Sequence, residues 1–424
     1  MTEIAFVIPT RHRARLACEA IQALLPQMTA GAVQLFVSDN SANDADVREL
    51  RDFCSALGSS AVVYLRPPES LSMGTHWNWA LEQAMARSNA THFGIHYDRK
   101  LVKPHAAARL VACADRHPDL LIVYPCDFTH RVENGFVAWQ FPVSGREYLM
   151  RTSLVIERSA SGAITEMGQT WPVLSNCIVP RAVFDRIRAR FGSICDSFTP
   201  DGSFAYRFCA TDDRYLFLDK AIQVMRAFSL SNGLAYYRRD SGGTFGDFTR
   251  LWGDRPWLDA APIPGLTLGN NCIFHEYTLV QRVAGRHRFP PVDHAGYLRE
   301  IALGLRYIAD LDERAALRAM LEERGWREET QTPNPPPLLS RIRRRAVRAL
   351  PRILRQAVRK MRPPRDPVFP TEEEAVQYLL EHERRPVKHN TLLDVMQPQA
   401  ASYEKANQAV SRRSDRSAAT RSSR

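Results

Sequence analysis

The chain has 424 residues, of which 45% are hydrophobic and 24% charged, and its formal net charge at pH 7 is +11. Its eight cysteines form no CxxC pair, and no apolar run reaches the roughly 18 residues of a membrane span, which argues against a zinc knuckle, a disulfide framework and a transmembrane helix. The sequence therefore predicts a cytoplasmic globular protein with reduced thiols, large enough for one big domain or two ordinary ones.

Strand and helix patterns alternate along the first quarter of the chain. Continuous apolar runs predict strands buried on both faces, and apolar residues at helical spacing predict the helices between them. The predicted strands are IAFVIP (4–9), VQLFVSD (33–39), AVVYL (61–65) and THFGIHY (91–97), and MGTHWNWALEQAMA (73–86) is one of the predicted helices. Such alternation is typical of βαβ units in a parallel sheet.

Polar residues follow three of these strands. The first strand runs into Thr10–Arg13, the second ends on Asp39, and the fourth is followed by Asp98. Because ligands bind beyond the carboxyl ends of the strands in such sheets, these residues predict a nucleotide-sized crevice along one rim of the sheet.

The pattern becomes less regular beyond residue 104. A predicted helix (105–117) and strand (120–125) precede an antiparallel region around GFVAWQF (135–141). Residues 171–214 predict two helices joined by loops, before the strand YLFLD (215–219). The fold class predicted for this part of the chain is α/β.

Composition divides the chain into four predicted regions. Residues 1–247 carry the strand–helix alternation, and residues 248–330 read as a helical extension. A basic amphipathic segment (331–365) follows, and residues 366–424 predict a short helix and then a disordered tail rich in serine and arginine. The short helix begins with the capping-box pair Thr371 and Glu374.

The basic segment accounts for the charge of the whole protein. Residues 331–365 contain 11 Lys/Arg and no Asp or Glu, so the rest of the chain is neutral overall. Within residues 338–362, apolar side chains recur at helical spacing opposite the cations. Three interpretations stay open: binding to an anionic membrane surface, packing on the protein itself, or nucleic-acid binding. Nucleic-acid binding is disfavoured, because an apolar stripe adds little affinity in a nucleic-acid groove. At an anionic membrane leaflet, each cation contributes about 1 kcal/mol of binding free energy, and the apolar stripe contributes as well.

Five motifs, in this order and spacing, resemble the family 2 glycosyltransferases of the GT-A fold. They are FVIPTRHRARL, LFVSDNSAND, LSMGTHWNWALEQA, HYDRKLVKP and FTPDGSFAYRFCA, and the likeness covers residues 4–241. The resemblance implies a GT-A-type, Rossmann-like mixed sheet flanked by helices, here with a helical C-terminal extension. It also implies a nucleoside diphosphate sugar as donor, a divalent metal held by carboxylates, and inversion at the transferred sugar.

The resemblance assigns donor-binding roles to residues of the first three motifs. Thr10 and Arg11 would lie along the nucleotide, and Asp39 would meet its base or ribose through a charge-assisted hydrogen bond. Gly74 and Asn78 match the segment that lies under the sugar nucleotide. For Asp39 an alternative is that it caps the turn that follows it.

The fourth motif departs from the family pattern of two or three carboxylates. Here Asp98 is followed by Arg99 and Lys100. Asp98 is expected to hold Mg²⁺ or Mn²⁺ together with diphosphate oxygens and water. In one alternative, Arg99 or Lys100 neutralises the diphosphate without a metal. In another, Asp98 and Arg99 form an ordinary turn with solvated charges. His96 is a further candidate ligand, although a buried, hydrogen-bonded histidine is commoner.

The fifth motif carries the expected catalytic base, Asp201. A carboxylate within hydrogen-bond reach of the acceptor hydroxyl takes up its proton as the new bond forms. The alternative is that Asp201 is only the N-cap of the following helix. The nearby rivals for the base are Asp196, Asp212 and Asp213.

Trp171 and Asn176 are candidate acceptor-binding residues, since aromatic faces stack on sugar rings, although packing within a loop explains them equally well.

The function that the sequence predicts is transfer of one sugar, with inversion, to a hydroxyl of a carbohydrate or lipid-linked acceptor. Cell-envelope polysaccharide biosynthesis would be the setting, with the enzyme in the cytoplasm or peripheral on the inner face of the membrane. The chain has no QxxRW motif of processive synthases. The alternative is a sugar-nucleotide-binding protein without turnover, in which the carboxylate cluster has eroded. A nucleotidyltransferase is disfavoured, because IPTRHRARL is not a glycine-rich, lysine-bearing loop.

Overall fold

The computed structural model describes residues 2–28, 32–226, 233, 235–236, 243–253, 258–328, 366–387 and 401–402. The predicted basic segment (331–365) and the tail beyond residue 402 lie outside these residues. The strands are β1 (Ile4–Thr10), β2 (Val33–Asp39), β3 (Val62–Leu65), β4 (His92–Ile95), β5 (Lys100–Val102), β6 (Ile122–Val123), β7 (Cys126–Val132), β8 (Gly135–Trp139), β9 (Glu147–Arg151), β10 (Cys177–Pro180), β11 (Arg214–Leu218), β12 (Gln223–Met225), β13 (Val368–Phe369) and β14 (Ala401–Ser402). The helices are α1 (Ala14–Leu24), α2 (Asp44–Ala56), α3 (Met73–Arg87), α4 (Ala106–Arg116), α5 (Thr152–Ala160), α6 (Arg181–Phe191), α7 (Pro200–Thr211), α8 (Gly243–Trp252), α9 (Asn271–Ala284), α10 (His294–Ala302), α11 (Leu311–Glu323) and α12 (Glu372–Glu381).

A mixed sheet forms the centre of the molecule, in the strand order β14-β9-β11-β6-β10-β4-β1-β2-β3. Strands β3, β2, β1 and β4 are parallel, as the strand–helix alternation predicts. Strand β10 is antiparallel to both of its neighbours, β4 and β6. The predicted α/β class, a mixed sheet flanked by helices, is confirmed.

Strand β1 shows why the apolar runs predict the centre of the sheet correctly. All seven of its residues are buried. Its alternate side chains enter two different cores: Ala5 and Val7 pack with α3, α6 and α7, while Phe6 and Ile8 pack with α1, α2 and α4. Because successive side chains of a strand point to opposite faces, a strand covered by helices on both sides must be apolar throughout.

A second, smaller sheet has the order β13-β8-β7-β12-β5. The antiparallel hairpin of β7 and β8 confirms the irregular region predicted around residues 135–141. Strand β5 follows β4 after four residues, so the chain turns from the central sheet into the second sheet at residues 96–99. The two sheets therefore meet where the fourth motif lies.

Helices predominate in residues 258–328, and α9 packs against α7. Helix α12 carries the predicted capping box: Glu374 N donates to Thr371 Oγ1 at 3.2 Å, and Thr371 N donates to Glu374 Oε2 at 3.3 Å. Among the described residues, none of the helices combines the length and the apolar character needed to cross a bilayer.

Candidate functional site

A cavity of about 1160 Å³ lies at the carboxyl ends of β1 and β4. It exceeds the roughly 300–1,000 Å³ of typical small-ligand pockets. Residues 1–247 and the helical extension both contribute to its wall. The predicted site residues that line it are Thr10, Arg11, Asp98, Arg99, Lys100, Trp171, Asn176 and Asp201. The structure therefore brings the two predicted carboxylates, Asp98 and Asp201, to one cavity.

The ends of β1 and β4 meet through Asp98. Thr10 Oγ1, at the end of β1, donates a hydrogen bond of 2.9 Å to Asp98 Oδ2. The other carboxylate oxygen, Oδ1, lies 3.6 Å from Nη1 of Arg13. Asp98 is only 5% exposed, and both of its oxygens have partners within the chain.

Arg99 and Lys100 are both buried, yet they contact different parts of the site. The Lys100 ammonium donates to the Ser175 carbonyl at 2.6 Å and lies 4.7 Å from the centre of the Tyr97 ring. The Arg99 guanidinium lies 5.5 Å from the same ring. Burial lowers the pKa of Arg99, and the nearby charge of Arg13 lowers it further. Burial also lowers the pKa of Lys100.

Asp201 lies in the first turn of α7 and is anchored by residues from two other segments. Ser175 N donates to Oδ1 at 3.0 Å, and the Tyr97 hydroxyl donates to Oδ2. The alternative that Asp201 is the N-cap is wrong, because α7 begins at Pro200 and the N-cap is Thr199. Burial raises the pKa of Asp201, and the Tyr97 hydrogen bond partly offsets the rise.

The three rival carboxylates lie away from the cavity. Asp196 pairs with Arg207 at 2.9 Å, Asp212 with Arg186 at 2.5 Å, and Asp213 with Arg288 at 2.7 Å. Asp212 and Asp213 lie between α7 and β11, as the sequence predicts. None of the three is among the lining residues, so within the described chain Asp201 fits the role of base better.

Glu276, on α9, fixes the loop that precedes Asp201, and the sequence analysis does not identify it. Its Oε1 accepts hydrogen bonds from Ser197 Oγ at 2.6 Å, from Thr199 N at 3.2 Å and from Thr199 Oγ1 at 2.9 Å. The side chain is 1% exposed, and burial raises its pKa. The contact of Glu276 with Ser197 and Thr199 joins segments more than 70 residues apart, and no local sequence pattern around Glu276 predicts it.

Asp39, Gly74 and Asn78 are not among the lining residues. Asp39 is fully buried and accepts from Ser41 N and the Tyr64 hydroxyl, both at 2.9 Å, which is the geometry of the turn-capping alternative. The structure thus separates these three predicted donor contacts from the cavity.

Gly74 and Asn78 hold the loop before Asp201 from the side of α3. A Cβ on Gly74 would lie 1.9 Å from the backbone oxygen of Ser197, so the close approach of helix and loop requires glycine. Asn78 Oδ1 accepts from Ile194 N at 2.7 Å. Both residues therefore support the site through packing and hydrogen bonding.

Arg11 lines the cavity and is held by Asp247 on α8, a residue that the sequence analysis does not identify. Arg11 Nε donates to Asp247 Oδ2 at 2.6 Å, and Nη2 donates to Oδ1 at 3.2 Å. This bidentate pairing lowers the pKa of Asp247. Helix α8, which spans the predicted boundary between residues 247 and 248, is thereby tied to the end of β1.

Trp171 and Asn176 present polar atoms that lack hydrogen-bond partners among the described residues. These atoms are the indole Nε1 of Trp171 and the amide Oδ1 of Asn176, and both residues line the cavity. Asn176 is 7% exposed. Both atoms are buried, and leaving buried polar atoms unpaired costs free energy.

The surroundings of Asp98 do not fit Mg²⁺ or Mn²⁺. The described part of the chain has no group of three or more His, Cys, Asp or Glu side chains that could hold a metal ion. Both Asp98 oxygens are engaged, and guanidinium charges adjoin them. His96 donates from Nε2 to the Lys100 carbonyl at 2.9 Å, and burial lowers its pKa to about 3, so it is a neutral, hydrogen-bonded core histidine.

No family model matches the chain, and no curated protein matches it. Among solved structures, the chain is similar to S. aureus TarS 1-349 in complex with UDP-GlcNAc, with 13% identity and a TM-score of 0.42 over 76% of this chain and 87% of that one. The complex of TarS 1-349 with UDP gives 12% identity and a TM-score of 0.41 over the same shares. Similarity at this level does not transfer substrates or residue roles.

Proposed function

We propose that this protein is an inverting glycosyltransferase that moves one sugar from a nucleoside diphosphate sugar to a hydroxyl group of a carbohydrate or lipid-linked acceptor. One observation carries the proposal: Asp98, beside buried cations, and Asp201, an anchored carboxylate, line the same cavity at the carboxyl ends of the strands. This arrangement places cations suited to phosphates and a carboxylate that can accept a proton in the same cavity.

In the proposed reaction, the acceptor oxygen attacks the anomeric carbon of the donor sugar. The bond from that carbon to the phosphate oxygen breaks, and its electron pair leaves with the diphosphate. Asp201 takes the proton of the attacking hydroxyl, which becomes acidic as the new bond forms. The buried Arg99, beside Asp98, stabilises the charge of the departing diphosphate.

Trp171 and Asn176 form the proposed acceptor end. Both residues line the cavity, where an indole ring can stack on a sugar ring and an amide can hydrogen-bond to hydroxyl groups. If the acceptor is linked to a lipid, an anionic membrane surface is a further proposed partner, bound through residues 338–362. Liposome flotation of the protein with and without that segment tests this.

The function is tested by incubating the full chain with a panel of nucleoside diphosphate sugars and measuring release of the nucleoside diphosphate. At least one donor is expected both to raise the melting temperature and to be turned over. Stabilisation by a donor without release of nucleoside diphosphate, with every acceptor class tried, would instead identify a sugar-nucleotide-binding protein.

The substitution Tyr97→Phe is expected to move the pH dependence of transfer. The base must be ionised to take up a proton, and burial raises the pKa of Asp201, so the acidic limb of kcat/KM lies above the pH expected for an ordinary aspartate. The Tyr97 hydroxyl lowers that pKa, so its removal moves the limb to still higher pH. The measurement is kcat/KM against pH for both proteins; a limb that stays in place or moves to lower pH would refute Asp201 as the base.

A further inference from the structure

Two guanidinium groups flank Asp98. Arg13 Nη1 lies 3.6 Å from Asp98 Oδ1. Arg99 is the next residue in the chain, and the charges of Asp98 and Arg13 both act on its pKa. Both arginines line the cavity, so this end of it is rich in guanidinium groups. The sequence analysis places Arg13 on the rim but gives it no role.

Arg99 has few acceptors for its buried donors. A guanidinium has five N–H donors, and in the described part of the structure Arg99 makes one long hydrogen bond, 3.5 Å from Nη1 to the Arg226 carbonyl. The residue is 6% exposed and lines the cavity. Burying such a group without acceptors is costly, which favours an anion in the cavity beside it.

Two further cations that line the cavity, Arg11 and Lys100, are held by partners inside the chain. Arg11 is held bidentately by Asp247, and the Lys100 ammonium donates to the Ser175 carbonyl. The donors of Arg11 and Lys100 are already used by acceptors within the chain, so an anion that enters the cavity can hydrogen-bond more readily to Arg99.

We propose that Arg13 and Arg99 bind the diphosphate of the donor directly, so that fixed guanidinium charge takes the place of a divalent metal at Asp98. Asp98 then acts as the counter-charge that holds the two guanidinium groups together. When the bond to the anomeric carbon breaks, the electron pair moves onto the phosphate oxygen, and the guanidinium N–H groups receive that charge without any proton transfer or co-reactant. The identity of the anion rests on the proposed function; the anion site itself does not.

The site is tested by calorimetric titration of the full chain with inorganic pyrophosphate, in EDTA and again with Mn²⁺. The dissociation constant is expected to agree within about 3-fold between the two conditions. Arg13→Gln and Arg99→Gln are each expected to weaken binding by about 10-fold or more, the effect of losing charge-assisted hydrogen bonds. Arg99→Lys keeps the charge and is expected to lose less than Arg99→Gln.

Arg15→Gln is the matched control, because Arg15 is 82% exposed, pairs with Glu19 and lies two residues from Arg13. It is expected to leave pyrophosphate binding unchanged. Pyrophosphate binding that requires Mn²⁺, or that survives Arg99→Gln in a protein with unchanged melting temperature, would overturn the inference.

The same preparations separate this inference from the proposed function. Release of nucleoside diphosphate from a donor only when Mn²⁺ is present would refute the guanidinium site and leave the glycosyltransferase in place. Arginine-dependent pyrophosphate binding in EDTA, without turnover of any donor, would support the anion site and refute the transferase.

Discussion

Replacing Asp201 with asparagine is expected to lower kcat for sugar transfer by about 100- to 10,000-fold, the usual contribution of a general base. Asparagine has nearly the same shape and can still accept from Ser175 N, but it cannot take up a proton at neutral pH. Donor binding is expected to change little, because the proposed diphosphate site consists of Arg13 and Arg99 and does not include Asp201. The measurement combines kcat from release of nucleoside diphosphate with the donor dissociation constant.

Asp196→Asn is the control for this experiment. Asp196 belongs to the loop before the same helix, but its side chain is 48% exposed and pairs with Arg207. Its replacement is expected to change kcat by less than about 3-fold, as befits an exposed ion pair. Equal losses in the two variants, or a wild-type rate in Asp201→Asn, would refute the assigned base.

The second large effect is expected at Glu276, the positioning residue on α9. Glu276→Ala removes the acceptor of three hydrogen bonds from Ser197 and Thr199, which is expected to lower the free energy of unfolding by about 3 kcal/mol. Since these bonds fix the loop before Asp201, kcat is also expected to fall, by about 10- to 100-fold. The measurements are denaturant unfolding and kcat on the same preparation.

The substitution Glu276→Gln distinguishes the effect of the hydrogen-bond acceptor at Oε1 from the effect of the carboxylate charge. All three bonds converge on Oε1, and the carbonyl of glutamine can accept them in the same place. This variant is therefore expected to keep most of the stability and kcat of the wild type.

Glu276→Gln also changes the pH dependence of stability. Because burial raises the pKa of Glu276, the stability that its protonated form contributes is present at low pH and is lost as pH rises through the folded-state pKa. Glutamine is expected to remove that part of the pH dependence. A glutamine variant as impaired as the alanine variant would show that the carboxyl group, and not its placement of the loop, matters.

The central sheet could be predicted from the sequence because local patterns determine it. Strands β1 and β2 are buried on both faces, and this produces continuous apolar runs. The sequence does not predict strand β5, because the strand has only three residues and begins with a lysine. Lys100 is buried through its contacts with Ser175 and Tyr97. A lysine in a short segment predicts a solvated turn unless those distant partners are known.

The residues of the candidate site also fall into two groups, those that local sequence patterns predict and those that depend on distant contacts. Asp98 and Asp201 could be proposed because they stand at strand and helix ends within recognisable motifs. Arg13, Asp247 and Glu276 could not be assigned, since each acts through a contact with a remote segment, such as the Arg11–Asp247 pair across 236 residues. Such pairings are set by tertiary packing and leave no periodic signal in the chain.

The short turn between β4 and β5 has a consequence for how variants of this protein should be compared. Of the four consecutive side chains from 97 to 100, which span this turn and the first residue of β5, the first and last lie on the Asp201–Ser175 side, and the middle two lie near Arg13. One tetrapeptide thus carries both the groups around Asp201 and two of the groups of the proposed diphosphate site. Free-energy changes from single substitutions there will not sum, and double-mutant cycles will show coupling between substrate affinity and turnover.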